Sequence, residues 1–216
     1  MNPLVKFFPL LGVFILGSCI GIEAGISVRG DGSGTMRLEY RISRLAESLG
    51  KLDGNEGWQT VPLGRADFER SLERLPGLRL VSFSSKDDGT DLITRAELEF
   101  KDIKDLIPFL AGAGQGAALV EENGKKRLSL IVFPGAGEGD GELLSLVREL
   151  ARPYTFALSF SAPGAVELGL TDGRGMSRAA AEGVLIESSG KKSSLSVNVG
   201  DLLSSPEGLG AEIIWH

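Results

Sequence analysis

The feature that most limits what this chain can fold into is a recurring order of strand, turn, strand and helix. From Thr35 to Arg44, Met36, Leu38, Tyr40 and Ile42 share one face, while Arg37, Glu39 and Arg41 share the other. That period of two belongs to a strand with a core on one side and water on the other. Ile22 to Arg29 precedes it across Gly30-Asp31-Gly32-Ser33-Gly34, a run of residues that accept turn backbone, so the two segments predict a hairpin. Leu45 to Pro62 is Gly-rich and polar and predicts a loop. Phe68, Leu72 and Leu75 then fall at helical spacing before Pro76-Gly77 ends the run. Two further units follow. Strands Leu78 to Ser85 and Asp91 to Phe100 surround Lys86-Asp87-Asp88-Gly89-Thr90 and lead to a helix striped with Ile103, Leu106, Ile107 and Leu110. Strands Ala117 to Glu122 and Arg127 to Phe133 surround Asn123-Gly124-Lys125-Lys126 and lead to a helix with Leu143, Leu144, Val147 and Leu150.

The C-terminal third reads as strands: Tyr154, Phe156, Leu158 and Phe160 alternate, Val166 to Leu170 is extended, Val184 to Glu187 and Leu195 to Val199 flank Gly190, and Glu212 to Trp215 close the chain. A lone hairpin buries too little to hold an amphipathic helix. The expected fold class is therefore α+β: a twisted, largely antiparallel sheet built from hairpin-plus-helix units, helices on one side, with a strand-rich C-terminal third. The repeated order is compatible with duplication, although the turn spacings are unequal.

Met1 to Ser18 carries one early cation, Lys6, then ten mostly apolar residues from Phe7 to Leu16, then small residues. This is the layout of an export signal, and its apolar run is well under the roughly 20 residues a membrane-crossing helix needs. Leu16-Gly17-Ser18-Cys19 resembles a bacterial lipobox, and Cys19 is the only cysteine in the chain. The resemblance implies cleavage between Ser18 and Cys19, a diacylglycerol on the Cys19 sulfur and frequent acylation, palmitate among the chains, of the new amino terminus. Two or three acyl chains anchor essentially permanently, at about 0.8 kcal/mol per buried methylene. Residues 1–18 are thus expected as a cleaved lipoprotein signal peptide, 19–21 as the lipidated terminus with a short tether, and 22–216 as one domain. Loss of Lys6 with the leader leaves 22 basic against 29 acidic side chains, a net charge of −7 that repels anionic headgroups, so the domain is expected to stand off the membrane surface on its lipid alone.

The same charge disfavours a nucleic-acid partner. One Cys and one His, the terminal His216, leave no material for a Cys/His metal site, a disulfide or a Ser-His-acid triad. Ser188-Ser189-Gly190-Lys191 has the residue types of a serine–lysine site but sits in a turn. Asp87-Asp88 and Glu121-Glu122 sit at hairpin tips, where ordinary pKa values are expected. Asp31 as the first position of a calcium loop puts Met36 where Gly belongs and Ile42 where Glu belongs, and the pattern fails. The acidic stretch Gly137–Glu142 reads as a link into a helix. Gly112–Gly116 follows a helix and precedes a strand, the reverse of a phosphate loop. No catalytic residue, metal or cofactor is expected. Phe100, Phe133, Phe156 and Phe160 are candidates to line an apolar cavity, and Trp58 and Trp215 are candidate exposed partner contacts.

The lipobox at Cys19, the strand leading to Asp31-Gly32-Ser33-Gly34-Thr35, and the course from Pro163-Gly164-Ala165-Val166 to a final strand ending in Trp215 resemble the LppM-like bacterial lipoprotein domains. That resemblance implies an envelope lipoprotein with an α+β, lipid-binding-like fold and no established catalysis, held to a membrane through Cys19 and facing the periplasm or cell surface. It leaves two expected roles: binding of a lipid or other envelope component, or a protein–protein scaffold with a solid core.

Overall fold

The computed structural model describes residues 20–45, 64–112, 116–135 and 141–216. The first unit contains β1 (Ile20–Val28), β2 (Gly34–Ser43) and α1 (Arg65–Leu72). The second contains β3 (Leu78–Asp87), β4 (Asp91–Phe100) and α2 (Ile103–Gly112), and the third β5 (Ala117–Glu122), β6 (Lys125–Phe133) and α3 (Gly141–Ala151). The remainder comprises β7 (Thr155–Ser161), β8 (Val166–Thr171), the two-residue β9 (Ser177–Arg178), β10 (Val184–Ser189), β11 (Lys192–Asn198), the single turn α4 (Val199–Leu202) and β12 (Leu209–Trp215). The fold is α+β and strand-rich, as the alternation implies.

Turn chemistry explains the hairpins. Asn123 and Gly124 both have positive φ, 53° and 76°, which is the two-residue turn whose twist matches the strands it joins. Asp31 closes the first turn by accepting from the Ser33 N–H at 3.0 Å and the Ser33 hydroxyl at 2.7 Å. Gly34 is required by close approach, since a Cβ there would meet the Ser27 carbonyl oxygen and the Phe100 ring.

The strands are shared between two sheets. The larger has the order β10-β11-β7-β1-β2-β4-β3, antiparallel except where β1 runs parallel to β7. The smaller has the order β5-β6-β12-β8-β9 and is antiparallel throughout. One core joins them: Ile26, Leu38, Leu98, Phe160 and Leu195 from the larger sheet cluster with Leu128, Leu170, Ile213 and Trp215 from the smaller. Each such side chain contributes roughly 1.5–3 kcal/mol on full burial. Helix α1 adds Phe68, stacked on Tyr40 at 6.1 Å between centroids and edge-on to Phe83 at 5.7 Å. The corner between the sheets is tied by Ser193 on β11, whose buried hydroxyl donates to the Val166 carbonyl at 3.0 Å.

Two expectations are corrected by this architecture. Strand β1 starts at Ile20, so Ile20 and Gly21 belong to the sheet, paired with Ile42 and Arg41, and not to a tether. Trp215 is 2% exposed with its ring 4.7 Å from that of Phe160, so it is a core residue and not a surface contact. The reason is topological: the last strand lies in the middle of its sheet, between β6 and β8, and its inward face must be filled. Among the described residues, no helix is long and apolar enough to cross a bilayer.

Candidate functional site

The outward faces of β2 and β4 carry charge in register. Arg37 faces Glu97, Glu39 faces Arg95, and β3 adds Arg79 facing Glu99. The ion pairs follow: Arg37–Glu97 at 3.3 Å, Arg95–Glu39 at 2.6 Å and Arg79–Glu99 at 2.5 Å. Directly opposed charges of opposite sign stabilise a sheet by a few tenths of a kcal/mol to about 1 kcal/mol each. Across β1 and β2 the rule is broken, because Glu23 faces Glu39. Glu39 is relieved by two guanidinium groups, Arg95 on one carboxylate oxygen and Arg41 at 3.0 Å on the other. Partial burial opposes its ionisation, but the two arginines outweigh it and hold its pKa below the usual range. Glu23 has no hydrogen bond or ion pair among the described residues, which leaves its carboxylate open.

Beside these groups, where β1 and β7 begin, lies a small cavity of about 190 Å³ lined by Gly21, Glu23, Glu39, Arg41, Pro153, Tyr154 and Thr155. Gly21 lies on its floor against Tyr154, close enough that a Cβ there would touch the ring in ordinary van der Waals contact. The far wall is held rigidly. Tyr154 is buried, and its hydroxyl donates to Asp91 Oδ1 at 2.8 Å, while its carbonyl accepts from the Val199 N–H at 2.9 Å. Asn198 pins the turn before it: its side-chain amide donates to the Arg152 carbonyl at 2.6 Å, and its carbonyl oxygen caps α4 by accepting from Gly200 N–H at 2.9 Å. The notch thus joins an open carboxylate, a partly exposed guanidinium and an aromatic wall. These groups present charge and hydrogen-bonding capacity to solvent.

The notch was not readable from the sequence as a unit. Arg37, Glu39 and Arg41 are legible as an outward face, but only the parallel pairing of β1 with β7 brings Tyr154 and Thr155 beside Gly21. Other candidates resolve differently. Ser18, Cys19 and Trp58 lie outside the described residues, as do residues 113–115 and 136–140 of the two Gly-rich connectors. The Ser188 hydroxyl lies 3.1 Å from that of Ser193, within the β10–β11 hairpin. The hairpin-tip aspartates are not ordinary: Asp87, bonded by Arg44 and the Gly89 N–H, and Asp88, bonded by the Asp91 and Thr90 N–H groups, both have lowered pKa values. They close the turn. Phe100 and Phe160 are fully buried in the core, while Phe133 and Phe156 pack partly buried against it.

Fold and site together define an α+β domain of two mainly antiparallel sheets about one core, with a small polar notch at one sheet end. No protein-family model matches the chain, and no curated protein matches it. Among solved structures it is similar to the folded domain of the Mycobacterium tuberculosis LppM protein, determined by NMR, with a TM-score of 0.49 and 13% identity over 92% of this chain and 90% of that one.

Proposed function

We propose that this protein is a bacterial envelope lipoprotein, anchored through acylated Cys19, whose exported domain binds a lipid or other envelope component without catalysing a reaction. One observation carries the reading: the only cysteine stands where the apolar leader ends, behind Leu16-Gly17-Ser18, and the folded sheet begins at the next residue. Signal peptide, acyl anchor and domain then follow one another without a spare residue. The notch at Gly21, Glu23, Arg41 and Tyr154 supports binding in preference to chemistry, because it offers opposed charges and an aromatic wall.

The scaffold reading is favoured by a different feature, the edge strand β10, on which Leu185 is 69% exposed and Ile186 41% exposed. An unblunted apolar edge is a surface on which another strand can pair.

Intact mass spectrometry of the chain purified from bacterial membranes tests the anchor. The expected product begins at Cys19 and carries a diacylglycerol thioether, and Cys19→Ser accumulates as the uncut precursor. A wild-type chain with an unmodified Cys19 thiol refutes it.

A further inference from the structure

The register fixes how far the folded sheet stands from its anchor. Cys19 is bonded to Ile20, and Ile20 is already paired with Ile42, so no slack chain lies between them. A strand advances about 3.3 Å per residue, which places Gly21 and its partner Arg41 about 3 Å beyond Ile20, and Glu23 with Glu39 about 10 Å. A bilayer of about 40–45 Å contains about 30 Å of hydrocarbon, leaving ~5–8 Å of headgroup layer on each side. A diacylglycerol thioether sets the Cys19 sulfur level with the glycerols of neighbouring lipids. With the anchor in place and β1 directed away from the membrane, its first residues stand among headgroups and the notch opens at their outer boundary.

We infer that the notch seats the headgroup of a neighbouring zwitterionic phospholipid, one that carries an ammonium beyond its phosphate. The inference rests on the anchor proposed above. The order of charges carries it. Outward from glycerol, such a lipid presents phosphate first and ammonium second; outward from Cys19, the notch presents Arg41 first and Glu23 second. Arg41 spends two donors on one oxygen of Glu39 and keeps its others toward solvent, with its side chain 47% exposed. Both oxygens of Glu39 are engaged by arginines, so Glu23 is the acceptor for the ammonium. The Tyr154 side chain, fixed through Asp91, makes that end of the notch rigid. About 190 Å³ admits a polar head but is below the usual size of a pocket for a larger ligand. A lipid with anionic charge alone leaves Glu23 facing it unpaired, against a processed chain whose 22 basic and 29 acidic side chains already give it a net charge of −7.

Carbodiimide coupling of the full lipoprotein in nanodiscs tests this. The reagent condenses a carboxylate with a primary amine in contact, forming an amide while the water lost hydrates the carbodiimide to its urea. In phosphatidylethanolamine–phosphatidylglycerol discs the expected adduct is phosphatidylethanolamine on Glu23, identified by peptide mass. Glu23→Gln abolishes it, and Arg41→Gln lowers its yield about fivefold. A flexible Gly-Ser segment of about twelve residues inserted between Cys19 and Ile20 keeps the anchor but dilutes the notch from the headgroups, lowering the yield about tenfold. Adducts no more frequent on Glu23 than on exposed Glu187 of β10, or a yield unchanged by the inserted segment, overturn the headgroup seat while the anchor stands. An intact mass without diacylglycerol overturns the anchor, and the seat with it.

Discussion

Replacing Trp215 by alanine separates a core role from a surface role. The side chain is 2% exposed and meets Phe160 across the two sheets at 4.7 Å. A buried Trp removes up to about 250 Å² from water, an upper bound near 6 kcal/mol at about 25 cal/mol per Å². Partial collapse of the resulting cavity brings the expected loss to about 3–5 kcal/mol. For a chain of this size each kcal/mol lowers Tm by about 2–4 °C, so Trp215→Ala should melt about 6–20 °C below the parent. Thermal and urea unfolding of both full-length chains in the same detergent, followed by circular dichroism, measures this. Trp215→Phe retains a ring against Phe160 and should recover more than half of the loss. A double-mutant cycle with Phe160→Leu should return a coupling of about 0.5–1.5 kcal/mol. If Trp215→Ala costs under about 0.5 kcal/mol, the value typical of surface positions, the shared core described above is wrong.

Two further perturbations follow from the same structure. Asn198→Ala removes the α4 cap and the tie to Arg152 together, and should cost about 1–2 kcal/mol while loosening the notch wall; unchanged unfolding and unchanged hydrogen exchange around Tyr154 would contradict this. Acidification acts through carboxyl groups whose folded pKa values are lowered: Asp31 by Ser33, Asp87 by Arg44, Asp88 by the Asp91 and Thr90 amides, and Asp172 by the Met176 amide. A lowered folded pKa adds stability that is complete above the unfolded value, 3.8 for these aspartates, and is lost as pH falls through the folded one. Tm should therefore hold between pH 7 and about 5 and decline below about 4, with a shallower decline in Asp87→Asn. An identical acid slope in the two chains speaks against the Arg44–Asp87 turn closure.

Local structure was legible where the cause is local. The alternation of Met36, Leu38, Tyr40 and Ile42 marks a strand because successive side chains must point to opposite faces, and all four are buried. Asn123-Gly124 marks a hairpin because both residues accept positive φ. The apolar spacing from Arg65 runs on to Leu75, but the helix ends at Leu72, because Leu75 reaches the core from a turn, its N–H bonded to the Leu72 carbonyl at 2.8 Å, before Pro76-Gly77 is reached. Trp215 misled for the opposite reason: proximity to a terminus says nothing about whether the last strand lies at an edge or in the middle of a sheet. The notch was hidden because Glu23 and Tyr154 are joined only by a parallel pairing whose partners are more than a hundred residues apart.

The sequence by itself determined the elements, their inward faces, the α+β class and the position of Cys19 at the end of an apolar run, because periodicity, turn backbone and chain order act over a few residues. Tertiary structure alone decided that the twelve strands of the described residues divide between two sheets, that β12 lies between β6 and β8, that Glu23 faces Glu39, and that Ile20 and Gly21 already pair within the sheet. Those outcomes depend on which apolar faces bury one another best across the whole chain. Burial is non-directional and sums over distant residues, so no local stretch of sequence specifies it.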